Sequence, residues 1–191
     1  MEDRKIKLVD VSDFGFVVEP RYWFYGWSKS PRIFVRESAV SALLKAKNFL
    51  PKGYNFKIWD GSRDLKVQLL MLESIRKRIS LIYRGLSKTE LEKVVLKFGG
   101  AVKKSERRLD THQRGGSFDL TIIDGRGEEL YMGTDHDDLT ERAATNYFEK
   151  NKNLTALERE ACKNRRLIKK VLTKAEFKNY APEWWHWSYN K

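Results

Sequence analysis

The stretch Pro182-Glu183-Trp184-Trp185-His186-Trp187-Ser188-Tyr189 constrains this chain more than any other. Three of the six tryptophans fall within four positions. Side chains of that size dominate whatever core they enter, and they lower the dielectric around anything placed among them. Here that includes a carboxylate, Glu183, and an imidazole, His186. Both are costly in such surroundings unless something pairs with them. A metal ion would satisfy both if another segment supplied further ligands. The segment Thr111-His112-Gln113-Arg114-Gly115-Gly116-Ser117-Phe118-Asp119 is the candidate supplier.

Cysteine usage narrows the choice of metal chemistry. The single cysteine, Cys162, excludes an internal disulfide framework and every paired-thiolate zinc site. It also points to a reducing compartment. The charged start, Met1-Glu2-Asp3-Arg4-Lys5, precedes no long apolar run, so neither a signal peptide nor a membrane span is expected. A cytoplasmic location follows, with release to the cell wall as the other possibility. At 191 residues the chain is expected to be one domain over 1–191 with a core of its own. The net charge of +12 invites an anionic partner such as nucleic acid, cell-wall polymer or a membrane surface. Because the charge is spread over the whole chain, a solvated basic surface explains it more simply. With no zinc-finger spacing or RNP-like motif, no nucleic-acid partner is expected. A basic nucleic-acid-binding module, using the stretch near Arg165, is the alternative from another class.

Taken in order, the pattern is helices interleaved with short strands. Ile6 to Val11 reads as a strand. Tyr22-Trp23-Phe24-Tyr25-Gly26-Trp27 is a dense aromatic patch, either a packed loop or one wall of a pocket. Glu37 to Leu50 has helical spacing, with Val40, Leu43 and Leu44 on one face, and Pro51-Lys52-Gly53 stops it. Tyr54 to Trp59 alternates as a half-buried strand and runs into the turn Asp60-Gly61-Ser62-Arg63. A helix from Asp64 to about Ser80 carries Val67, Leu70, Met71, Ile75 and Ile79 inward. Ser87-Lys88-Thr89-Glu90 is a capping box for a helix that Gly99-Gly100 ends. A basic run, Lys103 to Arg108, leads into the His112 segment. Leu120 to Ile123 and Glu129 to Met132 read as strands around the turn Asp124-Gly125-Arg126-Gly127. Asp138 to Lys150 reads as helical. Thr155-Ala156-Leu157-Glu158 opens a long basic helix with Leu157, Ala161, Ile168 and Leu172 inward and Cys162 in or near the core. The expected fold class is α+β: a small antiparallel sheet carrying the metal site, packed with helices.

A catalytic zinc site takes three protein ligands and keeps one position for water. His112 and Asp119 are separated by six residues, among them Gly115-Gly116, whose freedom lets the chain bend until both side chains meet one point. His186 on a C-terminal strand would be the third ligand. Glu183, two tryptophans away from His186, could serve as general base. Alone, a histidine is more often a packed or surface residue, and Glu-x-x-His recurs by chance. The two segments together are far more specific. His136, in Gly133-Thr134-Asp135-His136-Asp137-Asp138, is a competing ligand ranked below them.

His112-x6-Asp119 followed by Glu183-Trp184-Trp185-His186 resembles the zinc D-alanyl-D-alanine dipeptidases, and more widely the D-Ala-D-Ala carboxypeptidase and endolysin peptidase superfamily. Trp59-Asp60-Gly61-Ser62-Arg63 resembles the family's segment with a catalytic arginine, and Met132-Gly133-Thr134-Asp135-His136-Asp137 its dipeptidase segment. The resemblance implies one zinc per chain, held by His112, Asp119 and His186. It implies Glu183 as base, Arg63 as stabiliser of the oxyanion, and Asp137 as partner of the substrate ammonium. It implies a small D,D-dipeptide substrate, with a cell-wall peptidase as the alternative. Three positions depart from the family pattern. Asp64 stands where a proline usually follows the arginine, Asp110 where a serine contacts substrate, and Phe118 where a small residue precedes the zinc aspartate.

Overall fold

The computed structural model describes residues 6–99 and 111–191. The basic run Lys103 to Arg108, Gly100 and Asp110 lie outside the described residues. The chain opens with β1 (Leu8–Asp10), β2 (Val17–Val18), the single-turn helix α1 (Arg21–Phe24) and β3 (Phe34–Arg36). Next come α2 (Glu37–Lys47), β4 (Asn55–Asp60), α3 (Leu65–Ile82) and α4 (Lys88–Gly99). The second half holds β5 (Ser117–Ile123), α5 (Ala156–Lys174), β6 (Lys178–Asn179) and β7 (His186–Ser188). The class is α+β, as expected. No helix among the described residues is long and apolar enough to cross a membrane.

The main sheet runs in the order β2-β4-β5-β7-β6. It is antiparallel except at one edge, where β2 lies parallel to β4. β1 and β3 form a separate antiparallel pair. Alternation along the strands sorts the side chains. Phe118, Leu120 and Ile122 of β5 join Phe56 and Ile58 of β4 in one core with Val40 and Leu43 of α2 and Ile168 and Leu172 of α5. Asp119 and Thr121 alternate with those core residues and so face the other side of the sheet. Phe118, bulky where the family pattern is small, makes an edge-on contact with Phe177 at 5.8 Å and leaves Asp119 unobstructed.

A second core joins α3 to α4 through Val67, Met71, Ile75, Ile79, Val95 and Phe98. Tyr22 belongs to this core, so the aromatic patch is partly packed. Both expected capping boxes form: Ser87 with Glu90, and Thr155 with Glu158. Asp64 caps α3, its carboxylate accepting from the Val67 N–H at 2.9 Å. The acid that replaces the usual proline therefore starts a helix.

Three expectations fail. The strand over Glu129–Met132 reduces to one bridge between Ile123 and Glu129. Beyond it the carbonyls of Tyr131 and Met132 accept from Asn164 and Arg165 of α5, so they are not free to continue a ladder. The helix over Asp138–Lys150 is replaced by two 3-10 turns, Glu141–Ala143 and Tyr147–Glu149. Here the carbonyls of Arg142 and Ala144 accept from Arg165, and that of Ala143 from the Trp184 N–H. Third, Leu157 is 61% exposed, because the first turn of α5 projects beyond the core. Ala161, Ile168 and Leu172 point inward as expected, and Cys162 packs against Phe148 and Ala161.

Candidate metal centre

Register brings the first two candidate ligands together. Asp119 on β5 pairs with His186 on β7, and on its other side with Asp60 on β4. The three side chains form one row across three strands, and cross-strand neighbours of this kind touch. His112 arrives from the turn that precedes β5. That turn closes with Gly115 in the left-handed region, φ 65°. A side chain there would also strike Leu8 and the Arg36 backbone, at 2.5 and 2.9 Å from the added carbon. Glycine is the residue that permits both the bend and the close approach. The turn is pinned by Arg36 N–H on the Gly115 carbonyl (2.8 Å) and Tyr189 N–H on the Gly116 carbonyl (2.7 Å).

His112, Asp119 and His186 each offer one donor atom, all within 4.8 Å of one another, and such a group could hold a metal ion. The contacts are His112 Nε2 to His186 Nδ1 at 3.2 Å, His186 Nδ1 to Asp119 Oδ1 at 3.0 Å, and His112 Nε2 to Asp119 Oδ1 at 3.5 Å. His112 Nδ1 lies 2.6 Å from the Gly61 carbonyl and 2.9 Å from Asp60 Oδ2. A carbonyl only accepts, so Nδ1 carries the proton and Nε2 faces the other two donors. This is the usual way that a ligand histidine is oriented from behind.

The electrostatics are those of a buried, acid-rich site. Burial and Arg63 push the His112 pKa down, but Asp119 and Asp60 overcome them and hold it at about 9. A bound cation would compete with that proton. Burial would raise the Asp119 carboxyl, yet His112 first, then His136 and His186, keep it well below the usual range. Burial depresses His186 despite Asp119 beside it. Glu183 is buried too, and burial, then Asp119 and Asp137, push its carboxyl well above the usual range. Its Oε2 lies 3.9 Å from His186 Nδ1, beside the three donors but outside their group. Asn179 fixes the turn between them by donating to the carbonyls of Glu183 and His186, both at 3.0 Å.

Arg63 reaches the same place from the end of β4. It donates to Asp60 Oδ2 and to the Tyr22 hydroxyl, both at 3.0 Å, and to Gln68 Oε1 at 2.8 Å. Its Nη1 stands 3.9 Å from Asp119 Oδ2. A cavity of about 520 Å³ opens beside it, lined by Tyr22, Trp23, Trp27, Trp59, Asp60 and Arg63. The aromatic patch is thus both packing and cavity wall. The three donors do not line this cavity, which lies on the arginine side of the site. Asp137 has φ 59° and its carbonyl accepts from Arg78 at 2.7 Å. Its carboxylate lies 3.6 Å from His136 Nδ1. His136 stays outside the three-donor group. Asp110 lies outside the described residues.

Sequence reasoning gave no role to Asp60, Gln68 or Arg78, and placed Tyr22 only within the aromatic patch. Asp60 alone gave a signal, an acid closing an apolar strand directly before a glycine. Arg78 sits mid-helix among other cations, with nothing local to mark it.

The model of the D-Ala-D-Ala dipeptidase peptidase family matches residues 26–191. The chain belongs to that family of peptidases. It is 29% identical over 157 residues to a D-alanyl-D-alanine dipeptidase of Enterococcus faecium, covering 78% of this chain and 69% of that one. It is 33% identical over 81 residues to one from Synechocystis sp., covering 40% and 33%. A third, from Enterococcus faecalis, is 25% identical over 136 residues, covering 71% and 62%. For the last two, the chain spans less than two thirds of the relative's length.

Proposed function

We propose that this chain, acting as one peptidase domain, is a zinc dipeptidase that hydrolyses free D-Ala-D-Ala or a close relative. One observation carries the reading: the three-donor group with a raised, buried carboxyl beside it. The donor separations of 3.0, 3.2 and 3.5 Å suit zinc. Tetrahedral ligands at ~2.0–2.1 Å from the ion stand roughly 3.3 Å apart. Bound there, zinc would acidify a coordinated water and polarise the peptide carbonyl.

The protein groups then have distinct tasks. Glu183 takes a proton from the attacking water as the C–O bond forms, and hands it to the leaving amine as the C–N bond breaks. Its raised affinity for protons suits the holding step. Arg63, fixed by Asp60, Tyr22 and Gln68, presents standing positive charge to the oxyanion, where preorganised charge counts most. Asp137 receives the substrate ammonium, with Arg78 and a left-handed backbone setting its direction. Asp110 contacts substrate where the family pattern has serine.

The test compares kcat/KM for D-Ala-D-Ala with that for its N-acetyl form. Acetylation removes the charge that Asp137 would meet, so the free dipeptide is expected to be strongly preferred. Asp137→Asn should narrow the gap by weakening the free substrate more than the blocked one. Equal cleavage of both by the wild type would replace this reading with a peptidase acting on the cell-wall peptide.

A further inference from the structure

His136 is the one histidine outside the three-donor group. Its side chain is fully buried. Trp59, Trp185 and Tyr22 surround the ring at centroid distances of 5.0, 5.5 and 6.3 Å. Among the described residues neither ring nitrogen has a hydrogen-bond partner, and neither is reached by solvent. Aromatic faces can pack an imidazole, but they leave its two nitrogens unsatisfied, a rare state in a buried group. The acceptors in reach are two carboxylates on opposite sides of the ring. Nε2 lies 3.6 Å from Asp119 Oδ2, and Nδ1 lies 3.6 Å from Asp137 Oδ2. A shift of a few tenths of an ångström makes either a hydrogen bond, and because carboxylates only accept, making both takes a proton on each ring nitrogen.

Each carboxylate is also held from elsewhere, so the ring does not have to carry them alone. Asp119 turns its other oxygen, Oδ1, to His186 and His112. Asp137 is fixed at its backbone by Arg78. His136 therefore stands between the inner edge of the metal centre and the carboxylate proposed to meet the ammonium.

We infer that His136 is a positioning residue that ties Asp119 to Asp137 and so sets the length of substrate accepted on the amino side of the scissile bond. The inference rests on the dipeptidase reading for the role of Asp137, and on geometry alone for the role of Asp119. A rigid ring holds the two carboxylates at one spacing, so one residue fits between the reacting carbonyl and the ammonium site. Tripeptides with a further amino-terminal residue carry their ammonium past Asp137 and are excluded.

Three variants separate the two ends of the tie. His136→Phe keeps volume in the aromatic cage and removes both nitrogens. His136→Gln places its amide N–H near the position of Nε2, and His136→Asn near that of Nδ1. Two quantities are read. One is the zinc dissociation constant of the metal-free protein, from competition with a chromophoric chelator. The other is the kcat/KM ratio of D-Ala-D-Ala to D-Ala-D-Ala-D-Ala. His136→Phe should weaken zinc binding by about 10-fold or more, the usual size of a loss behind a metal ligand, and lower the ratio by a similar factor. His136→Gln should recover the zinc constant but not the ratio, and His136→Asn the ratio but not the zinc constant. An unchanged zinc constant and ratio in His136→Phe overturns the inference. So does a parallel loss of both quantities in all three variants, which marks His136 as packing only. If the wild type cleaves no dipeptide, the dipeptidase reading fails, while the zinc constants still decide whether His136 supports Asp119.

Discussion

The candidate metal centre and the segment that flanks it are held by different means. His112, Asp119 and His186 stand on or beside paired strands, and the register of β5 against β7 fixes two of them at once. Residues 128–154 contribute His136 and Asp137, yet among the described residues they show only a bridge and two 3-10 turns. Distant side chains supply much of their order, Arg165 foremost. Its buried guanidinium donates to the carbonyls of Met132, Arg142 and Ala144 and lies over Phe148 at 4.7 Å. Burial, then Arg142, lower its pKa to about 10, and it stays charged at neutral pH. Sheet pairing distributes the work over many backbone bonds. The flanking segment leans most on one side chain, 21 to 33 residues away in sequence, with Asn164, Trp184 and Arg78 beside it. The first kind of support spreads a loss over its neighbours, while the second takes a large share of it at one substitution.

Removing an ion held by the three donors would be the largest perturbation of the strand-borne half. Dialysis against a chelator should abolish peptidase activity, and zinc should restore it. Full activity in protein shown to be metal-free would end the zinc reading. Breaking the other half comes next. Arg165→Leu removes three hydrogen bonds; Ala144 keeps the Tyr147 N–H, while the Met132 and Arg142 carbonyls lose the guanidinium, at a cost of about 2 kcal/mol or more. The urea midpoint should fall accordingly. A midpoint equal to wild type would show that residues 128–154 order themselves. Glu183→Gln should keep the metal and the fold but lower kcat by at least about 10²-fold, or ~2.7 kcal/mol of barrier. Metal analysis of the same sample is the control, because loss of the ion would make Glu183 a ligand instead. The smallest effect belongs to Leu157→Ser, at an exposed site, where stability should stay within about 0.5 kcal/mol of wild type by thermal melting. A core-sized loss there would mean that something covers the first turn of α5.

The same contrast explains what was legible in the sequence. The capping boxes of α4 and α5, the helical faces apart from Leu157, and the strand before Asp60 are local patterns, and they appear where the spacing puts them. The three donors were legible because glycine and tryptophan contexts surround them. The start of β5 was not, since Ser117 and Asp119 interrupt the apolar run although the whole strand is buried. The missing helix over Asp138–Lys150 was also hidden. Its residues have fair helical character, but their carbonyls accept from Arg165 and Trp184, and no local pattern reports a partner so far along the chain. Arg165 itself read only as the marker of a basic stretch on that helix. Burial distinguished it from Lys163, Arg166 and Lys170.

The contact between His112 and His186 joins positions 74 residues apart. An ion held by both would act on the unfolded chain as a cross-link does. Closing a loop of that length carries an entropic cost of roughly 4 kcal/mol. A chain that kept the ion while unfolding would be spared that cost on refolding, and a chain that released it would not. Where unfolding releases the ion, the melting temperature should report its free concentration as well as the quality of the core.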